Sequence, residues 1–141
     1  MSQIYSSQMK VEHIGIAVAD LAQAEALYAQ LLKQAPYKRE EVASEAVLTS
    51  FFQAGETKIE LLEGTTPDSV ISRYVAKKGP GLHHVAYEVA DIHAEMDRLR
   101  ESGIRLLNEE PKAGADNKWV CFLHPKDCGG VLIELCQDRG E

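Results

Sequence analysis

The sequence predicts an α+β fold: a single domain of two repeated β-α-β-β-β units whose strands form a cupped, half-barrel-like mixed sheet around a metal site. Three observations predict it. V-E-H-I-G-I-A-V-A-D-L at 11–21 returns as L-H-H-V-A-Y-E-V-A-D-I at 82–92, with a constant offset of 71 positions (13 to 84, 20 to 91). I-E-L-L at 59–62 returns as I-E-L-C at 133–136, at an offset of 74 that a small insertion in the second half explains. Each copy also begins with a period of two and then changes to helical spacing. The domain is expected over 9–137, with half-units at about 9–64 and 80–137 joined by a short helix at about 67–78.

The first strand is expected over 11–18, where Ile14, Ile16 and Val18 face one way and His13, Gly15 and Ala17 the other. Asp20 is placed to cap a helix, with Gln23 three residues on. Leu21, Ala24, Leu27, Tyr28 and Leu31 then make its apolar stripe. Strands follow at about 38–42, 46–53 and 57–63, the last two joined by the turn Ala54-Gly55-Glu56. On the third, Lys58, Glu60 and Leu62 oppose Ile59 and Leu61.

Thr66-Pro67-Asp68 can open the linking helix with Pro67 in its first turn, and Gly79-Pro80-Gly81 ends it. The second copy repeats the pattern: a strand at 83–89, a cap at Asp91, and a stripe of Ile92, Met96 and Leu99 stopped by Gly103. Strands are then expected at about 104–108, 118–123 and 131–136. In the first of the copy's strands His84, Ala86 and Glu88 oppose Val85, Tyr87 and Val89, and His83 is expected on the face away from His84. The ends, Met1 to Gln8 and Asp138 to Glu141, read as tails.

Composition narrows the function classes. The chain has 141 residues, 45% of them hydrophobic, enough to bury one core. A net charge of −7 disfavours nucleic acid or an anionic membrane as the main partner. No apolar run approaches a membrane span, and Met1 to Lys10 lacks the apolar stretch of a signal peptide, so a cytoplasmic location is expected. Cys121, Cys128 and Cys136 are odd in number and lack C-x-x-C spacing, which points to reduced thiols rather than disulfides or a zinc knuckle. Lys112, Lys118 and Lys126 near loops, with Arg73, Lys77 and Lys78 around the linking helix, are the cations from which a local patch for an anionic ligand could come.

The repeat itself supplies the chemistry. Two histidines and two glutamates stand at repeat-equivalent strand positions, and each histidine shares its face with small residues (Gly15, Ala17, Ala86) that leave a hollow. Packed about a pseudo-twofold axis, His13, Glu60, His84 and Glu134 would converge on one point. Two imidazoles and two carboxylates suit a divalent metal such as Co²⁺, Mn²⁺, Ni²⁺ or Zn²⁺.

These residues carry a family resemblance. Paired β-α-β-β-β units with His, Glu, His and Glu at these positions resemble the vicinal-oxygen-chelate superfamily of glyoxalase I, extradiol dioxygenases and bleomycin-resistance proteins. Within it the chain is most similar to the methylmalonyl-CoA epimerase family, through H-I-G-I-A-V-A-D-L (13–21), K-I-E-L-L-E (58–63), P-D-S-V-I-S-R-Y (67–74), G-L-H-H-V-A-Y-E-V (81–89), E-E-P-K-A-G (109–114) and F-L-H-P-K-D-C-G-G-V-L-I-E-L (122–135). The resemblance implies an isomerase that inverts the α-carbon of a CoA-thioester substrate through an enolate. It also implies a metal, with Co²⁺ favoured, held by His13, Glu60, His84 and Glu134, and a homodimer. Glu134 would double as an acid/base. Some epimerases carry a second glutamate where this chain has Thr49, which cannot act as a base unaided; Glu45 is the nearest carboxylate. Lys112 and Lys126, in loops of the second half, would meet the CoA phosphates. Two other functions are alternatives: a glyoxalase-I-like lyase, which would use the same ligands, and a metal-independent binding protein of the resistance type, whose expected missing ligand set the presence of all four candidates argues against.

Overall fold

The structure is a computed structural model that describes residues 9–140; the expected tail Met1 to Gln8 lies outside them. Eight strands form one sheet: β1 (Lys10–Ala17), β2 (Lys38–Val42), β3 (Val47–Ala54), β4 (Thr57–Gly64), β5 (Gly81–Glu88), β6 (Lys112–Gly114), β7 (Lys118–Leu123) and β8 (Ile133–Asp138). Three helices accompany them: α1 (Leu21–Leu32), α2 (Val70–Lys78) and α3 (Ile92–Glu101). None is long and apolar enough to cross a membrane.

The strand order is β2-β3-β4-β1-β5-β8-β7-β6. Exchanging the two repeats reverses this order onto itself, so the sheet has a pseudo-twofold axis between β1 and β5. Those two strands run antiparallel, while β1 pairs β4 and β5 pairs β8 in parallel. Repeat-equivalent residues therefore meet at the sheet's centre.

The helices are placed by their caps and stripes. Asp20 accepts from the Gln23 amide at 3.0 Å and Asp91 from the Ala94 amide at 3.1 Å, satisfying amides that have no partner inside the helix. On α1, Leu21, Ala24, Tyr28 and Leu32 pack against Phe52 and Leu61 of the sheet; Leu27 and Leu31, expected in the same stripe, are instead 53% and 61% exposed, because the helix turns them to the flank of that face. The α3 stripe packs Ile92, Met96 and Leu99 against Cys121, Leu123 and Leu135. Both helices cover the convex side. On the concave side the central residues are small, Ala17 and Ala86 being fully buried, and this opens a cup.

Four other sequence expectations are corrected. The linking helix starts at Val70, because Ser69, with its hydroxyl accepting from the Ser72 amide at 3.0 Å, provides the cap that Pro67 cannot. The expected strand at 104–108 is reduced to a bridge between Leu106 and Leu123: the Asn108 side chain, not its backbone, takes the Phe122 amide at 2.9 Å and ends the ladder. Sheet pairing resumes at β6. At the other end, Asp138 belongs to β8 rather than to a tail, its backbone paired with Lys118. The fourth correction concerns His83 and follows from β-bulges.

The β1–β5 ladder slips twice. Val11 pairs Tyr87 and His13 pairs Ala86, leaving Glu12 as the extra residue on β1; Gly15 pairs His84 and Ile16 pairs Leu82, leaving His83 as the extra residue on β5. A bulge breaks the alternation of faces. His83 therefore turns into the cup with His84, and Glu12 is buried beside His13. Glu12 and His83 are themselves 71 positions apart, so the bulge is part of the repeat.

Candidate metal centre and active site

His13 and Glu60 come from the adjacent strands β1 and β4, and His84 and Glu134 from β5 and β8. Each of the four is 5% exposed, which is unusual for carboxylates without strong partners. His13 Nε2 lies 3.1 Å from His84 Nε2, 3.3 Å from a Glu60 oxygen and 3.6 Å from a Glu134 oxygen. His84 Nε2 lies 3.6 Å from Glu60 and 3.4 Å from Glu134. Ligands about 2.1 Å from a cation are separated by about 3.0 Å when octahedral neighbours and about 3.4 Å when tetrahedral. Each imidazole nitrogen thus already stands at about such an edge length from the other and from both carboxylates.

Backbone approach makes this possible. A Cβ on Gly15 would lie 2.2 Å from His84 Cε1, so only glycine at that position lets the imidazole lie across β1. Phe122 meets the His84 ring edge-on, with ring centroids 5.7 Å apart.

The distal nitrogens are also occupied. His13 Nδ1 is 2.7 Å from Glu12 Oε1, and His84 Nδ1 is 2.9 Å from His83 Nδ1. With both Nδ1 atoms engaged, both Nε2 lone pairs are left for the centre. Burial, with the neighbouring His84 charge, holds the His83 pKa down to about 4, so it stays neutral and accepts the His84 proton.

Glu12, His13 and Cys136 form a second close group of potential ligands. Its chemistry does not suit a cation. Lys58 Nζ already lies 2.6 Å from Glu12, and burial, then the Glu134 charge, raises the Cys136 thiol pKa far above neutrality. The group is an outer support of the first.

Electrostatics favour a cation at the His13–His84 junction. Burial opposes charge on His13, but Glu134, reinforced by the Glu12 hydrogen bond and by Glu60, outweighs it and raises the pKa to about 10. Burial likewise opposes charge on Glu134 and is overcome by His13, which lowers its pKa. Without a cation, a proton on His13 is what balances the carboxylates. The raised pKa fixes a sign: protonation of His13 stabilises the metal-free fold fully below about 6.5, and this contribution is lost as pH rises through about 10. Metal uptake near pH 8 must expel that proton. Calorimetry in buffers of differing ionisation enthalpy is expected to show proton release on metal binding, with apparent affinity rising from pH 7 towards pH 10. Proton-neutral uptake would contradict the assignment.

Above the centre opens a cavity of about 330 Å³, with walls that include Val47, Leu62, Ile71, Val120, Phe122 and Leu132. Thr49 lines it and is 1% exposed; its hydroxyl donates to the Glu40 carbonyl at 3.3 Å and offers no basic group. Glu45 also lines the cavity, ion-paired with Lys112 from the other repeat. Lys126 is exposed on a short 3₁₀ turn, Pro125–Asp127, and is not among the lining residues. Sequence reasoning missed Glu12 and its pairing with Lys58 and Lys118. The signal was present, since V-E-H and L-H-H each put two polar residues in succession where alternation should continue.

An eight-stranded sheet folded from two β-α-β-β-β repeats, with two histidines and two glutamates buried at its centre, is the architecture of a known superfamily. Residues 12–122 match the model of the Glyoxalase/Bleomycin resistance protein/Dioxygenase superfamily, and the chain belongs to that superfamily. Within it the chain is similar to methylmalonyl-CoA epimerases. It is 43% identical over 129 residues to the mitochondrial methylmalonyl-CoA epimerase of Homo sapiens, covering 91% of this chain and 73% of that one. The crystal structure of methylmalonyl-CoA epimerase from Mycobacterium tuberculosis superposes with a TM-score of 0.90 at 34% identity, over 96% of this chain and 93% of that chain. A variant of the Streptomyces coelicolor epimerase, in complex with 2-nitronate-propionyl-CoA, gives 0.88 at 34% identity, over 92% and 94%.

Proposed function

We propose that this chain is a metal-dependent epimerase interconverting (R)- and (S)-methylmalonyl-CoA, its catalytic domain spanning 9–137. The observation that carries the reading is the convergence of His13, Glu60, His84 and Glu134 at the base of an apolar-walled cavity. Similarity to epimerases, one of them bound to a CoA compound, supports the substrate.

The α-carbon of methylmalonyl-CoA lies between a thioester and a carboxylate, and removing its proton builds negative charge on oxygen. A bound divalent cation supplies the Lewis acid that offsets this charge in a site shielded from water. Glu134 moves the proton on one face, its carboxylate held ionised despite burial by His13 in the metal-free site and by the cation that would take over that charge. Inversion needs a second carrier on the opposite face. Glu45 is assigned that role, its ion pair with Lys112 opening as substrate enters. A well-placed acid/base contributes about 10²–10⁴ in rate. The apolar walls exclude water from the reacting carbon.

Co²⁺ is our assignment among the ions that this donor set accommodates. Lys112 and Lys126 are assigned to the CoA phosphates, so neutralising both is expected to raise KM with a smaller effect on kcat; an unchanged KM would return them to the solvated surface. A homodimer and a cytoplasmic location complete the reading, tested by light scattering and by cell fractionation.

The deciding experiment incubates the protein with one enantiomer of methylmalonyl-CoA in D₂O. Loss of optical activity with deuterium gained at the α-carbon, abolished by chelator and restored by Co²⁺, is expected. Consumption of the methylglyoxal–glutathione hemithioacetal instead would make the protein a lyase. Inertness towards both, with no metal retained, would leave a binding protein.

A further inference from the structure

Glu12 has no part in the ligand set or the proton transfers, yet it is a carboxylate only 4% exposed, on a strand otherwise committed to alternation. Its partners account for every direction it faces. One oxygen accepts from His13 Nδ1 at 2.7 Å; the other receives Lys58 Nζ at 2.6 Å and Lys118 Nζ at 3.7 Å. Lys58 continues to Asp116 Oδ2 at 2.8 Å, and Asp116 also holds Lys38 Nζ at 3.2 Å and the Tyr37 hydroxyl at 3.1 Å. Asp116 adopts a left-handed backbone (φ 58°) and, with Gly114 and Ala115, lines the cavity wall. A continuous polar path therefore runs from His13 to the wall.

We propose that Glu12 is a positioning residue: it fixes His13 as the Nδ1–H tautomer with Nε2 aimed at the cation, and through Lys58 it ties the metal centre to the Gly114–Asp116 wall. The inference rests on the reading of His13 as a ligand. The two halves of the centre are unequal, because His84 has an imidazole, His83, at the equivalent position. A carboxylate partner raises imidazole basicity more than an imidazole partner does, so His13 is the stronger donor of the two.

The test uses the full chain loaded with Zn²⁺, which is diamagnetic. In ¹⁵N-histidine spectra His13 is expected to show a slowly exchanging, strongly hydrogen-bonded Nδ1–H proton. Glu12→Ala should abolish that resonance and lower Zn²⁺ affinity, measured by competition with a chromophoric chelator, about 10–100-fold. Glu12→Asp should recover part of both. Because Glu12→Ala leaves Lys58 with one carboxylate partner, Asp116, in place of two, in a half-buried site, Glu12→Gln serves as the shape-preserving variant, with smaller losses in the same direction. If the variants melt at lower temperature without metal but keep wild-type Zn²⁺ affinity and His13 shifts, Glu12 is a structural carboxylate and the proposal fails. If the wild-type chain itself does not bind Zn²⁺ stoichiometrically, the metal reading fails first and takes this one with it.

Discussion

His84→Ala is expected to leave the protein folded and nearly free of metal, with epimerisation lost in parallel. His84 Nε2 lies 3.1 Å from His13 Nε2 and 3.6 and 3.4 Å from oxygens of Glu60 and Glu134, and alanine at that position leaves an incomplete shell facing two carboxylates. Gly15→Ala is expected to do the same without touching a ligand. Its Cβ would sit 2.2 Å from His84 Cε1, and the ring must swing out of the cup to make room. His83→Ala belongs between these and the wild type, because it removes only the group that accepts from His84 Nδ1; loss of such an outer partner costs about 10–100-fold in affinity. Elemental analysis after gel filtration, with chelator competition for the weaker binders, ranks the three. Full metal content in His84→Ala would remove the centre from His84, whatever the fate of activity.

The place of His83 in that series shows where sequence reasoning stops. Alternation assigned His83 to the convex face, and along most of the strands alternation is reliable: Leu61 and Leu135 are buried under helices, while Glu60 and Glu134 face the cup. Pairing register overrides it at two points, because one extra residue on each central strand has to be accommodated and the chain does so by a bulge. Bulges depend on the partner strand, which a single strand's period cannot reveal. The repeat could have revealed them, since the polar doublets Glu12-His13 and His83-His84 interrupt both copies at the same place. Long, strongly patterned elements such as α3 and β4 are legible for the same reason that they are stable: one apolar face meets one core. The segment 104–114 is not legible, because a side chain, Asn108, replaces backbone in the ladder and shifts the next pairing to Lys112–Gly114.

The convergence of the four donors could be anticipated because it depends on symmetry rather than on detail. Offsets of 71 and 74 place each histidine and glutamate in the same position of its own repeat, and antiparallel pairing of β1 with β5 then brings the copies together. The outer network follows no such rule. Lys58, Lys118 and Asp116 come from β4, β7 and the turn before β7, and nothing in their spacing relates them to Glu12. Their meeting is a consequence of strand order alone.

Glu134→Gln is expected to separate ligand from acid/base. The amide keeps an oxygen donor and the shape of the side chain, so metal is retained at reduced affinity, while the group that accepts the α-proton is gone. Removing an acid/base contribution of about 10²–10⁴ raises the barrier by about 3–5 kcal/mol. Epimerisation and solvent-deuterium washout from one substrate enantiomer should fall together by that factor. Washout matters because it reports removal of the proton even when inversion is not completed. Glu45→Gln is the companion: a comparable loss from the opposite enantiomer alone would assign it the second face. No loss there would direct attention to Glu60, the pseudo-twofold mate of Glu134, which faces the same two imidazoles at 3.3 and 3.6 Å. If Glu134→Gln exchanges the proton at near wild-type rate with metal bound, Glu134 is a ligand only, and the proton must leave through another group on the cavity wall.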